Sequence, residues 1–529
     1  MSMFSEFSLP RRFVLFPALF TLGVLPALPC PQAPNPSPVP TIHAETRLIE
    51  IEVSVTDSRG KPVASLTKED FTIVDDGKPR TFDIFSVNHV KDRGAGHNEP
   101  ATPTSPISTS APPRSLPAAT FSNIKSGPPA MPGHTSVIVL DAVHGDFINF
   151  QWARQAVIGV LQKVKPDERI ALYAVSYGQG LVLLQDYTTN HGLLLTSMSR
   201  YIKRPKPPPG VTPEERDYVE RMSVENVRLS LQGLADHLSL APGRKNVFLL
   251  STGFNAKGMR DMEKLAWEKT LRALNEANVQ VDTVDPVGVM MNRAGGLFAE
   301  QEIADAPGGH SYFGRNDADQ MLAEAIEASR TTYTLAFYLA DGERDDKYHA
   351  LTVKVARPGL QASYRQGYYA GDTEVPAADI EKTSQGDLSS SLLNQVDSSE
   401  VSFNARVDAV PGNPRGTVSV RVSLDSATLS LKEHGSGGTV KVEEEFLEVD
   451  ARGNTLAKAS DTKQFEVTIE NRAQYENEGL DWPFSMPLIQ GASKIMIVLR
   501  DANTGKVGSL SVPLRTISDD SPVAGQQAH

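Results

Sequence analysis

The sequence predicts an α/β fold: a doubly wound, mainly parallel sheet flanked by β modules, with a C-terminal β-sandwich. Three observations carry that expectation. Between residues 134 and 340, short apolar runs such as "TSVIVLD" alternate with amphipathic helical segments, the pattern of strands covered on both faces. Before and after this stretch, apolar and polar residues alternate with period two and no helical spacing intervenes. Pro- and Ser-rich segments separate the patterned regions, and a chain of 529 residues is too long for one core.

The N-terminus comes first. Arg11 and Arg12 precede the apolar run Phe13–Leu28, which is short for a bilayer span but fits a signal peptide over residues 1–30. Pro17 and Pro26 count against a buried helix there. The chain is therefore expected to be exported, to a periplasm or to the outside. The membrane enters only through this segment or through a lipid anchor on Cys30, against which Pro29 argues. Residues 31–45 read as an extended Pro-rich spacer.

An N-terminal β module spans 46–90. Ile49, Ile51, Val53 and Val55 alternate with polar residues, and Asp76-Gly77 marks a hairpin. Residues 91–133, rich in Pro, Ser and Thr, read as a linker. The α/β domain over 134–340 opens on "TSVIVLD" and a helix from about 147. Further strands "RIALYAVS", "LVLLQDY", "NVFLLST" and "VQVDTVD" follow, with helices near 213–240, 259–277 and 316–330 and a last strand "TYTLAFYL". A β segment over 341–371 is small enough to need pairing with 46–90. Residues 372–399 read as a second linker, 400–517 as the sandwich, and 518–529 as a disordered tail.

Composition excludes several functions. A net charge of -12 makes nucleic acid an unsuitable partner, because phosphate binding needs a basic face. One cysteine leaves neither a disulfide framework nor a thiolate zinc site. The glycine loops "GQGL" and "RAGGLF" lack dinucleotide spacing, so no nucleotide cofactor is expected. The expected partner lies among proteins, glycans and small ligands, with a protein or a cell-surface polymer favoured.

The α/β order, with Asp141 closing its first strand, resembles a von Willebrand factor type A domain. Over most of 46–515 the chain is similar to the VWFA-related proteins described mainly from acidobacteria. The resemblance lies in "VSVTDSRGKPVASLTKEDFTIVDDGKPRTFDIF", "SVIVLD", "PDERIALYAVSYGQGLVLLQDYTTN", "YTLAFYLADGERDDKYHALTVKVARPGLQASYRQGYYA" and "LRDANTGKVGSLSVP". It implies a type A fold more than an activity. It also implies a Mg²⁺ site built on an Asp-x-Ser-x-Ser loop, a threonine and a further aspartate. Asp141 matches the first position and Thr188 or Thr189 the threonine, but Val143, Gly145 and the Ser251-Thr252-Gly253 turn depart from the rest. Three of five ligand positions have changed, so the site is degenerate, since Mg²⁺ needs oxygens at near-octahedral positions.

The residues expected at the C-terminal edge of the sheet are Asp141, His144, Asp146, Ser251, Thr252, Asp282 and Asp285. Two readings compete there. His144 and Asp146 replace the serines around a softer divalent cation such as Mn²⁺ or Zn²⁺, or Asp141 binds turn amides and caps the following helix. No cofactor is otherwise expected. His310 in a glycine turn reads as exposed, Trp152, Trp267 and Trp482 as packing residues, and "VEEEFLEVD" as a solvated strand. Neither a G-x-S-x-G elbow nor an H-E-x-x-H helix occurs. The resulting expectation is a non-enzymatic binding or scaffold protein. Metal-dependent adhesion at Asp141 is the alternative, and a hydrolase using His144 or Ser251 is the second.

Overall fold

Strand 47–56 shows how the N-terminal region is organised. The computed structural model describes residues 47–89, 119–123, 135–203, 212–239, 244–253, 264–290, 301–371, 388, 394, 397–409 and 417–514, without 178, 302, 341, 342, 344, 346, 436 and 452. The signal segment with Cys30, the spacer and the C-terminal tail lie outside these residues. Elements β1 (Arg47–Thr56), β2 (Phe71–Asp75), β3 (Lys78–Arg80) and β4 (Ile84–His89) come first, and β5 (Thr120–Ser122) follows. Strand β1 carries Ile49, Ile51, Val53 and Val55 inward, as period two requires.

The α/β region contains β6 (Thr135–Asp141), α1 (Phe147–Leu161), β7 (Arg169–Ser176), β8 (Gly180–Thr188), α2 (His191–Arg200) and α3 (Pro213–Leu238). It continues with β9 (Lys245–Leu250), α4 (Lys264–Glu276), β10 (Val279–Val284), β11 (Ser311–Tyr312) and α5 (Ala318–Ala328). One six-stranded sheet runs β11-β10-β9-β6-β7-β8, parallel except that β8 is antiparallel to β7. Val137 and Val139 of β6 pack on α3 and α4, while Ile138 and Leu140 pack on α1, α2 and α5. Both faces of the strand are thus covered, which explains its unbroken apolar run; each such side chain contributes roughly 1.5–3 kcal/mol. Helix α3 starts where the sequence stops it from starting earlier: Thr212 and Glu215 form a reciprocal capping box and Pro213 fills the first turn.

Beyond α5 come β12 (Thr331–Leu339), β13 (Tyr348–Val355), β14 (Gln361–Ser363) and β15 (Gly367–Tyr369). Strand β12, read from sequence as the last strand of the α/β sheet, lies elsewhere. It pairs antiparallel with β1 over Arg47↔Leu339 to Val53↔Tyr333 and with β4 on its other side. The reason is its side chains: Tyr333, Leu335, Phe337 and Leu339 complete the core that β1 opens. Sheets β14-β1-β12-β4 and β15-β13-β2-β3 enclose that core together. Residues 347–370 and 47–89 are therefore joined by strand pairing, through β13 with β2 and β14 with β1.

The C-terminal region holds β16 (Phe403–Ala409), β17 (Thr417–Leu424), β18 (Lys432–His434), β19 (Gly437–Asp450), β20 (Thr455–Val467), α6 (Arg472–Glu478), β21 (Leu480–Pro487), β22 (Ala492–Asp501) and β23 (Val507–Pro513). Two sheets, β21-β17-β16-β5 and β18-β19-β22-β23 with β20 on β19, share one core. Pro483 and Pro487 lie on β21, an edge strand, where a missing donor is tolerated.

Two stretches read as linkers contain anchored residues. Within 91–133, β5 pairs with β16, and buried Asn123 binds the carbonyls of Ser398 and Val401 and the amide of Phe403. Within 372–399, buried Asn394 accepts from the Leu181 amide at 2.9 Å and donates to the Leu229 carbonyl at 3.1 Å. Buried backbone needs such partners, so these residues fix both connections against folded sheets.

Candidate functional site at the sheet edge

Strand β6 ends on Asp141 level with Val175 of β7, and the chain then turns through Ala142–Asp146 into α1. Gly145 has φ 72°, and a Cβ there would meet Thr252 Oγ1 at 2.7 Å, so the turn requires glycine on both counts. Asp146 caps α1 by accepting from the Asn149 amide at 2.8 Å.

Asp141 is 1% exposed, and each of its carboxylate oxygens accepts two protein donors. Oδ1 accepts from the amides of Val143 at 2.8 Å and His144 at 3.0 Å. Oδ2 takes His144 Nδ1 at 2.8 Å and Ser251 Oγ at 2.8 Å. Facing a carboxylate, Nδ1 is the protonated ring nitrogen. Burial pushes the Asp141 carboxyl up; the electrostatic attraction and hydrogen bonds of His144, with Ser251, outweigh it and hold the group at about 2.

A cation is already fixed above this turn. Lys203 Nζ lies 3.5, 3.0 and 3.4 Å from the carbonyl oxygens of His144, Gly145 and Asp146, and 5.6 Å from the Phe150 ring centroid. Phe147 and Ile148, which follow Asp146 in α1, and Ile202, which precedes Lys203, are 66%, 57% and 83% exposed. Trp152, read as a packing residue, is also exposed on α1.

The sequence-selected residues separate into those the fold gathers and those it does not. Asp141, His144, Asp146, Ser251 and Thr252 share one turn region. Asp285 stands at the same edge, buried, accepting from the Val287 amide at 2.9 Å. Asp282 sits lower in β10 and binds the His310 amide at 2.7 Å and Gln280 Nε2 at 3.1 Å. Thr188 is a correction. Strand β8 runs antiparallel, so Thr188 lies opposite Ile170, at the far end of the sheet and about 16 Å from the level of Asp141.

The Mg²⁺ site that the family resemblance implies does not fit these residues. Val143 and Gly145 bring no side-chain oxygen, Thr188 is at the wrong edge, and Asp141 spends both oxygens on four donors. His144 and Asp146, the replacement ligands, are engaged by Asp141 and by the α1 amide. A cation entering here would have to displace His144 or Ser251 from the carboxylate.

A cavity of about 480 Å³ lies away from this edge, where β11 meets β14, lined by Asp305, His310, Ser363, Tyr364 and Gln366 among others. His310, read as exposed, is half-buried. Ser363 Oγ stands 2.5 Å from its Nδ1 and 2.9 Å from its Nε2 at once. The lone-pair directions of the two nitrogens diverge, so the hydroxyl lies across the ring and not along either base direction. "VEEEFLEVD" is a further correction: Glu444, Glu445 and Glu448 are buried in β19, whose outer face is covered as well through Leu447, Val449 and Met496.

No family model and no curated protein matches the chain. Among solved structures, it is similar to an aerotolerance-related membrane protein from Bacteroides fragilis NCTC 9343, at 13% identity and TM-score 0.26, over 37% of this chain and all of that one. It is similar to proximal thread matrix protein 1 from the mussel byssus with a zinc-occupied MIDAS motif, at 13% identity and TM-score 0.25, over 39% of this chain and 48% of that one. The pilus adhesin SpaC from Lactobacillus rhamnosus GG matches at 9% identity and TM-score 0.24, over 67% and 53%. Likenesses at such scores carry no weight for the function of this chain.

Proposed function

We propose that the chain is an exported, non-enzymatic binding protein that recognises a protein or surface polymer at the C-terminal edge of its six-stranded sheet without a bridging metal ion. One observation carries this: Asp141, the carboxylate that matches the first ligand position of the implied Mg²⁺ site, is saturated by four protein donors and works as the keystone of a rigid turn. The turn presents Phe147 and Ile148 to solvent, and exposed apolar clusters of this kind mark contact surfaces. The resemblance to VWFA-related proteins and the signal-like N-terminus support the same reading.

Neither serine–histidine contact near these residues favours a hydrolase. Ser251 and His144 meet on the same oxygen of Asp141, so the carboxylate stands between hydroxyl and imidazole, and the histidine is not positioned as the serine's base. Ser363 and His310 lack in-plane alignment, because the hydroxyl lies across the ring.

The test immobilises the full chain and measures capture of envelope proteins and envelope polysaccharide with Mg²⁺ or with EDTA. Binding should survive EDTA, and should fall at least tenfold in Phe147→Ser/Ile148→Ser. Binding lost with EDTA and restored by added Mg²⁺ or Mn²⁺ would establish ion-dependent adhesion instead. Binding indifferent to Phe147 and Ile148 would remove this edge as the surface.

A further inference from the structure

A different group of side chains, in the N-terminal β region, has the features that the Asp141 turn lacks. Strand β2 ends on Asp75, and the hairpin to β3 turns at Asp76-Gly77. Successive strand residues point to opposite faces, but Asp76 adopts φ 46°, which lets its carboxylate swing to the side of Asp75. Across the ladder, His349 of β13 meets both. Its Nδ1 lies 3.5 Å from Asp75 Oδ1 and 3.2 Å from Asp76 Oδ2.

Each of the three groups is held from behind by another contact. Tyr368 donates its hydroxyl to Asp75 Oδ2 at 2.9 Å and stacks on the His349 ring at 5.2 Å. The Ala350 amide donates to Asp76 Oδ1 at 2.9 Å. Asp345 Oδ1 lies 3.0 Å from His349 Nε2 and fixes a proton on that nitrogen, so Nδ1, which faces the two other carboxylates, carries either a second proton or a metal ion. What remains facing inward is one oxygen of Asp75, one of Asp76 and one ring nitrogen, all within 4.8 Å of one another. Asp75 is only 9% exposed, and its Oδ1 is buried with no hydrogen-bond donor among the described residues. Two carboxylate oxygens this close to one ring nitrogen require a positive charge among them, which either a second ring proton or a metal ion supplies.

We propose that Asp75, Asp76 and His349 form a binding site for a divalent transition-metal ion of the Zn²⁺ class, with Asp345 and Tyr368 as positioning residues. Two His–carboxylate separations of 3.5 and 3.2 Å bracket the ligand–ligand edge of about 3.3 Å that a tetrahedral ion with bonds near 2.0–2.1 Å requires. A carboxylate on the far ring nitrogen is the usual support of a metal-bound histidine. The mixed nitrogen and oxygen set suits Zn²⁺ over Mg²⁺, which prefers oxygen alone and keeps its waters. Asp76 is exposed enough to give entry, and three protein ligands leave a fourth position for water or for an anionic group of a partner. The proposal is independent of the sheet-edge surface.

The test is calorimetric titration of the chelator-treated full chain with ZnCl₂ at neutral pH. One ion should bind per chain. Asp76→Asn keeps the left-handed turn, since Asn tolerates it, and should weaken binding at least tenfold, as should His349→Ala. Asp345→Asn should weaken it by about 10–100-fold. Asp141→Asn should leave it unchanged, and MgCl₂ at the same concentration should give no heat. No heat with Zn²⁺ would overturn the proposal and leave a protonated His349 paired with its carboxylates. Binding that persists unaltered in both Asp76→Asn and His349→Ala would overturn it too.

Discussion

Asp141 and Glu448 are both shut away from water, 1% and 0% exposed, yet the two regions that hold them treat a carboxylate in opposite ways. At the edge of the α/β sheet, Asp141 meets two amides, an imidazole and a hydroxyl, and is held at about 2. In the C-terminal core, Glu448 takes one amide, from Ile489 at 2.6 Å, and its second oxygen has no partner among the described residues. Burial accordingly pushes Glu448 up, with the Ile489 amide opposing it only in part. Glu444, four residues earlier on the same face, is raised by burial too, although Trp482 Nε1 donates to it at 2.7 Å. The difference teaches that donor count, more than depth, decides whether a buried acid is a structural anion or a strained guest.

The largest effect should come from removing the anion at the sheet edge. Asp141→Ala leaves His144, Ser251 and two amides facing a void, and breaking such a buried pair costs about 3–5 kcal/mol. Urea unfolding followed by tryptophan fluorescence would read this, and an unchanged midpoint would contradict the keystone role. A smaller effect is available without mutation. Since the folded-state value of Asp141 lies below that of the unfolded chain, its stabilisation is complete above about pH 4 and is lost as pH falls through about 2. The loss should approach about 2 kcal/mol, and Asp141→Asn should remove that part of the acid dependence.

Asp141 is visible in the sequence, and much else is not, because of what a local pattern can encode. A strand buried on both faces must be an unbroken apolar run, so β6, β7 and β9 announce themselves, and the polar residues that end them mark the sheet's rim. Strand direction and partner are not encoded locally. The family resemblance therefore puts Thr188 on the wrong edge and pattern puts β12 in the wrong sheet, although the existence of both strands is legible. Strands as short as β5 and β11, three and two residues, carry no period at all. The Asp75–His349 group is assembled by ladder pairing between positions far apart in the chain, and only its Asp-Gly turn leaves a local trace. In "VEEEFLEVD" the signal is present but overridden by charge. Phe446 lies between Glu444 and Glu448 on one face while Leu447 and Val449 occupy the other, a sign that both faces are covered.

The smallest prediction sharpens the contrast most, because its sign is opposite. Glu448→Gln keeps the shape and an oxygen for the Ile489 amide but removes the ionisable proton. In the wild type, a raised folded-state value means that stability is highest below the unfolded value of about 4.5 and declines as pH climbs through the raised one. At pH 4 the two proteins should melt together. At pH 7 Glu448→Gln should melt at the higher temperature, since it no longer bears the cost of either burying a charge or taking up a proton. A lower melting temperature at pH 7 would mean that the ionised carboxylate is stabilised by partners, and the C-terminal core would then follow the same rule as the sheet edge.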